Sequence, residues 1–317
     1  GIHVEVVNRP FTANTHAGAI DFPAGTLMIP LGFQKLSRNE IENKLKELSK
    51  ASMQQVYAVQ TGLNLKGIDL GSNLVGAIEK PKVMMLVGDG VSSYDAGAIW
   101  YLLDSQVGMP ITKINTNDLS RVNLFDYTTL ILPSGNYGGL NENFIAHFKD
   151  WINRGGTVIS SGSASLWLQR QGITKEEVVT LEEEKSDPSE LPFAERSAFE
   201  GAKEVGGSIY LAKLDLTHPI AYGYQRETLP VYRNNSIFIQ PSKNKYLTPV
   251  RYTDNPHLGG YINSENLEKL KQSASILISP TGRGRVIHFF DNPVFRGTWF
   301  GTNKLLLNAI FFGDSMN

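Results

Sequence analysis

Three short apolar runs constrain this chain more than anything else in it. KVMMLVG (Lys82 to Gly88), TLILPSG (Thr129 to Gly135) and TVISSG (Thr157 to Gly162) each end in glycine, and amphipathic helical patterns separate them. Uninterrupted apolar runs of about five to seven residues, alternating with helices, are the mark of strands buried on both faces of a parallel sheet. The expected fold class is therefore α/β, a three-layer, doubly wound, mostly parallel sheet of the flavodoxin-like kind. Ligands of such sheets sit outside the carboxyl ends of the strands. Those ends carry Asp89, Ser92, Asn136, Tyr137, Ser161 and Ser163, which become the first candidates for ligand binding.

Length and charge narrow the class further. The chain has 317 residues, 41% hydrophobic and 19% charged, which describes an ordinary globular protein long enough for two domains. With 30 basic against 31 acidic residues there is no electrostatic footprint for nucleic acid, so none is expected as a partner. No apolar run approaches the roughly 20 residues of a membrane span, so none is expected. The absence of cysteine removes disulfides, thiolate metal ligands and thiol nucleophiles together. The chain opens on Gly1 rather than Met, which reads as a trimmed or mature chain and leaves localisation unknown from the residues alone.

In chain order, residues 1–79 read as a small α/β unit. HVEVV and GTLMIPLG are short strands, and QVYAVQT (Gln55 to Thr61) is a third. Between them Ser37, with Glu40 three residues on, predicts a capped helix with Ile41, Leu45 and Leu48 on one face. Residues 80–317 form the larger domain. Its first strand is followed by a helix burying Ile99, Leu102 and Leu103, then by an edge strand from Ile111 to Asn115, and Asn141 or Asn143 starts the next helix. From about 171 to 235 the rhythm breaks into an exposed acidic excursion, whose Glu182 to Glu184 read as a solvated face and not as metal ligands. SIYLAKL, SIFIQP and YLTPVRY are short strands extending the sheet. SILISP and GRVIHFF close as a hairpin at TGRG, and GTNKLLLNAIFFG is a final helix.

Few residues carry chemistry. Gly88 and Gly90 bracket a turn without the third glycine or the lysine of a phosphate loop. Ser163, flanked at two positions by Ser161 and Ser165, is sterically tolerable as a nucleophile on a strand-to-helix elbow, and a serine hydrolase would also need a later acid and one of His218, His257 or His288. His218 before Pro219 and His288 inside RVIHFF read as structural. In DNPVFRGTW, Arg296 can bind a carboxylate bidentately. The simpler reading ties it to its neighbour Asp291.

FPAGTLMIP, GIDLGS, KPKVMMLVGDG with YDAGAIWYLLD, LILPSGNY, GGTVISSGSA and above all GRGRVIHFFDNPVFRGTWFGTNKLLLNAI resemble, taken together, the C-terminal, non-peptidase region of bacterial zinc carboxypeptidase-like proteins of the carboxypeptidase A superfamily. In that region the core is similar to class I glutamine amidotransferase domains. The resemblance covers nearly the whole chain and is weakest from Gln171 to Asn235. It implies a peptidase domain of the same polypeptide as partner, with zinc held there and no cofactor in this chain, and a periplasmic or secreted setting. The family's HxxE zinc motif does not occur here, and the elbow that bears cysteine in amidotransferases reads SSGSAS. No catalytic residue carries over. The expectation is a non-catalytic accessory or substrate-presenting region. The alternatives are a module binding a sugar or peptide terminus through Asp89, Ser92, Asn136, Ser163 and Arg296, or a hydrolase using Ser163.

Overall fold

In the computed structural model, which describes residues 1–180 and 191–316, short strands near the N-terminus pair into two antiparallel sheets of three. Strands β1 (Glu5–Val7), β2 (Phe11–Thr15), β3 (Gly18–Phe22) and β4 (Thr26–Met28) precede helix α1 (Arg38–Ser52), and β5 (Lys66–Gly67) and β6 (Val75–Ala77) follow it. The sheet orders are β4-β1-β6 and β3-β2-β5. Val7, Phe11 and Ala13 are buried, and Phe11 stacks on Phe22 with centroids 4.9 Å apart. The Ser37–Glu40 capping box forms as expected and fixes where α1 begins. Of its apolar face only Ile41 is buried, and Leu48 stays 58% exposed. QVYAVQT is not a strand. Its one pairing is a bridge from Val59 to Thr15, because β-branched composition alone does not supply a neighbouring ladder.

These elements form one compact unit, Gly1–Lys80, and Pro81–Asn317 form a second. The second opens with β7 (Val83–Val87), α2 (Ser93–Trp100), continued by a π-helical turn over Tyr101–Gln106, and β8 (Thr112–Asn115). Then come β9 (Thr129–Leu132), α3 (Glu142–Asn153), β10 (Thr157–Ser161), α4 (Ser163–Arg170), α5 (Phe193–Ala202), β11 (Ser208–Leu214) and β12 (Thr228–Arg233). The unit closes with β13 (Val250–Gly260), α6 (Ser264–Lys271), β14 (Ala274–Thr281), β15 (Gly284–Phe289) and α7 (Asn303–Phe311). All nine strands make one sheet, ordered β12-β11-β13-β14-β15-β10-β9-β7-β8. From β15 to β8 neighbours run parallel; from β14 outward they pair antiparallel. This is the doubly wound α/β sheet read from the apolar runs, with an antiparallel extension.

The central parallel strands are buried almost without a break, and successive side chains enter alternate covered faces. Met85, Ile131, Ile159 and Ile287 join Ile99, Leu102 and Leu103 and the α7 residues Leu305 and Leu306 in one core. Met84, Leu86, Leu130, Leu132 and Val158 join Phe148 and Trp151 of α3 and Trp167 of α4 in the other. Fully burying one such large apolar side chain contributes about 1.5–3 kcal/mol, so these two layers fix the strand order that positions the loops. Asn141 caps α3, its side chain accepting from Phe144 N at 2.8 Å.

The stretch from 171 to 235 is less of an excursion than its charge implies. It supplies β11, whose Tyr210, Ala212 and Leu214 are core, and the edge strand β12, which sequence patterning missed because Pro230 interrupts it. The Pro230 carbonyl accepts from the Trp299 indole N–H at 3.3 Å. SIFIQP makes a single bridge, Ile239 to Val178, and is no strand. Glu182 to Glu184 lie outside the described residues.

Candidate functional site

Strand order reverses between β7 and β9, since β8 follows β7 on one side and β9 lies on the other, so the loops leaving β7 and β9 flank the position where doubly wound sheets take ligands. Here the two loops pair with each other. Asn136 N donates to Gly90 O at 2.8 Å, Ser92 N donates to Ser134 O at 2.8 Å, and Val91 bridges Gly135. A Cβ on Gly90 would lie 2.3 Å from Asn136 O, and one on Gly135 would lie 2.6 Å from Gly90 O. Backbone therefore fills the mouth of the crevice.

The candidates there have separate duties. Asp89 is exposed and accepts from Asn117 Nδ2 at 3.1 Å. Ser92 caps α2, accepting from Asp95 N at 3.3 Å. Asn136 is exposed, and its side-chain oxygen accepts from Gly138 N at 3.0 Å. Tyr137 does not line a site. It is 1% exposed, packs on Trp167 at 5.5 Å, and donates to Pro133 O at 2.7 Å, because this ring completes the α3–α4 core. Burial, with the charge of Asp95, pushes its hydroxyl pKa well up.

The β10–α4 elbow has the shape of a nucleophile turn without the nucleophile. Such turns place one residue in a sharp, strained conformation so that its side chain stands free above the sheet. In this elbow the residue with positive φ is Gly162 (φ 51, ψ −124), one position before Ser163. A Cβ on Gly162 would meet Ser134 Oγ at 2.7 Å, so the Ser134 hydroxyl occupies that place. Ser163 opens α4 instead. Its Oγ donates to Gly135 O at 2.9 Å, accepts from Gly135 N at 2.9 Å, and lies 3.0 Å from Ser134 Oγ. Among the described residues no imidazole pairs with it: His288 Nδ1 lies 3.0 Å from Ser160 Oγ, His218 Nδ1 accepts from Ile220 N, and His257 Nε2 faces Gly260 O. Burial takes His218 down to about 4 against an opposing pull from Asp215. The Ser161 hydroxyl, beside the elbow, is buried and has no hydrogen-bond partner among the described residues.

Asp291 and Arg296 do not pair. Asp291 is 7% exposed and is held by Arg233 Nη1 at 3.4 Å, by Tyr252 Oη at 2.5 Å and by the Ser275 hydroxyl. Burial raises its pKa, and Arg233 and the hydroxyl donors oppose that rise. It is a structural anchor, closed off from ligands. Arg296 is exposed and lies over the Phe295 ring, 5.1 Å from its centroid.

Three charged residues that patterning missed hold this region. Arg233 is fully buried, and its guanidinium also donates to Tyr252 Oη at 2.7 Å. Asp95, on the first turn of α2, accepts from Asn292 Nδ2 at 2.8 Å; burial raises its pKa, with Ser92 and Asn292 opposing. The spacing Ser92–x–x–Asp95 was the available signal for it. Glu176 Oε1 lies 3.5 Å from His288 Nε2 and accepts from the Ser279 hydroxyl. Burial would raise the Glu176 pKa, but His288 and Ser279 outweigh it and take the carboxyl down to about 2. Among the described residues no group of three or more His, Asp or Glu side chains is arranged to hold a metal ion, and no helix is long and apolar enough to cross a membrane.

The second unit is thus an α/β domain with a parallel core, helices on both faces and a strand-to-helix elbow at β10. No protein-family model and no curated protein matches the sequence. Among solved structures, the chain is similar to a putative ThuA-like protein from Parabacteroides merdae, with 14% identity, a TM-score of 0.49, and 75% of this chain and 91% of that one covered. A putative ThuA-like protein from Bacteroides uniformis aligns at 13% identity and TM-score 0.45, covering 72% and 89%. A putative GMP synthase subunit from Thermoplasma acidophilum aligns at 12% and 0.43, covering 75% and 96%.

Proposed function

We propose that this chain is a non-catalytic region built on an amidotransferase-like scaffold, serving as the accessory or substrate-presenting part of a zinc carboxypeptidase-like protein. The observation that carries the non-catalytic reading is the elbow. Its strained position is Gly162, and the space a nucleophilic side chain would take is filled by Ser134. The neighbouring hydroxyl of Ser163 is engaged with both polar groups of the Gly135 backbone. The link to a peptidase rests on the sequence resemblance, strongest in GRGRVIHFFDNPVFRGTWFGTNKLLLNAI.

Two measurements test the two halves of the proposal. Incubating the chain with a fluorophosphonate probe and with peptides bearing free C-termini is expected to give neither labelling of Ser163 nor hydrolysis, and either event overturns the non-catalytic reading. The coding sequence contiguous with Gly1 is expected to carry an HxxE motif with a later histidine; its absence there removes the peptidase link.

A further inference from the structure

We infer that the hollow between the loops following β8 and β9 is a binding site for a small uncharged ring with a lactam edge, the chemistry a pyrimidine base such as uracil presents. Both loops leave the carboxyl ends of their strands, the rim of the sheet on which doubly wound folds take ligands. Asn117, Leu119 and Ser120 line the hollow from the helical turn after β8, and Gly139, Asn141 and Phe144 line it from the loop after β9 and the start of α3. It encloses about 280 Å³, part of it open to solvent, which is at the small end of ligand pockets and suits one ring rather than a whole nucleotide. The space reaches Gly139, where an added Cβ would meet nothing within 4 Å.

The lining decides the chemistry. No charged side chain belongs to it, and the first turn of α3 already carries Glu142 at the positive end of the helix dipole, so an anion is disfavoured there. Asn117 Nδ2 donates to Asp89 Oδ2 at 3.1 Å, which leaves Asn117 Oδ1 as an open acceptor. Asn141 Oδ1 accepts from Phe144 N at 2.8 Å, which leaves Asn141 Nδ2 as an open donor. The Ser120 hydroxyl, without a partner among the described residues, can serve as either. A ligand that satisfies an acceptor and a donor together needs an N–H beside a C=O, and a lactam carries both on one edge. Leu119 and Phe144, 5% and 8% exposed, supply apolar surface for the rest of the ring. The hollow shares no lining residue with the β10–α4 elbow, and its chemistry holds whether or not a peptidase domain adjoins the chain.

Titrating uracil into the full chain, read by calorimetry and by the side-chain amide NMR signals of Asn117 and Asn141, is expected to give saturable binding with a dissociation constant of about 1 mM or tighter. N,N′-Dimethyluracil keeps the ring and both carbonyls but has no N–H, and acetamide keeps the edge but has no ring. Each is expected to bind about tenfold more weakly or worse, and inorganic phosphate is expected not to compete. Gly139→Leu is expected to fill the hollow and abolish binding while leaving the melting temperature within about 2 °C. Ser120→Tyr, at a second exposed position of the lining, makes the same test if Gly139→Leu disturbs the fold. Weaker or non-saturable binding of uracil, smaller discrimination against either analogue, competition by phosphate, or unchanged affinity in a folded filling variant overturns the inference. Uridine binding as tightly as uracil assigns the source as a nucleoside; weaker binding assigns it as the free base.

Discussion

Asp291 is reached by three side chains from distant parts of the chain, and its nearest arginine in sequence is not one of them. Arg233 comes from 58 residues away and is completely buried with it. Removing one member of a buried ion pair leaves the other charge uncompensated, at about 3–5 kcal/mol. Arg233→Met is therefore expected to lower the urea-unfolding free energy by that amount, whereas Arg296→Met, at an exposed position, is expected to change it by less than about 0.5 kcal/mol. Sequence proximity pointed to Arg296 because local pairing is common, and nothing in TLPVYRNN marks Arg233 as buried. Glu176 was equally hidden, since its partners His288 and Ser279 lie on strands more than a hundred residues on. With its carboxyl at about 2 in the folded chain against an ordinary 4.5, Glu176 binds its proton more readily when unfolded. Its contribution is fully present above about pH 4.5 and lost as the pH falls toward 2. That contribution is on the order of 3 kcal/mol, so Glu176→Gln is expected to flatten the acid limb of the stability–pH curve, measured by denaturant titration between those limits.

The elements were legible where burial on two faces leaves an unbroken apolar run: β7, β9 and β10 are read correctly from composition alone. Where strands are half-exposed the signal fades. The hairpin of β2 and β3 mixes Thr, Asn, Gly and Asp into its pattern and went unseen, and QVYAVQT, with the right residue types, found no ladder. The elbow was legible as a turn but not in register. Small residues occupy 161 through 165, so several are sterically admissible at the strained position, and only the backbone angles single out Gly162. A side chain there meets both a positive φ and the Ser134 hydroxyl. Gly162→Ala is expected to destabilise the chain by about 1–3 kcal/mol, and adding Ser134→Gly is expected to return part of that loss by clearing the contact. Thermal unfolding of the two single variants and the double variant measures the coupling.

At the scale of the molecule, the sheet and both of its covering layers belong to the second unit. A chain of residues 81–317 is accordingly expected to unfold in one cooperative transition with the near-ultraviolet signature of its buried tryptophans intact; a broad, non-cooperative melt would show that its core depends on the first unit. What such a sheet must also do is stop. Along a strand, a residue's carbonyl and nitrogen point to the same side. The Pro230 carbonyl is taken by the Trp299 indole rather than by β11, so the proline nitrogen, which has no hydrogen to give, faces outward. The open flank of β12 thus offers an incoming chain neither donor nor free acceptor at its midpoint, and β8, the other flank, is only four residues long. Replacing Pro230 by valine restores a donor on that flank, and the expected result is faster fibril formation on mild heating, followed by thioflavin fluorescence. The proline, together with the indole that takes its carbonyl, thus leaves a growing stack of strands nothing to join at that point.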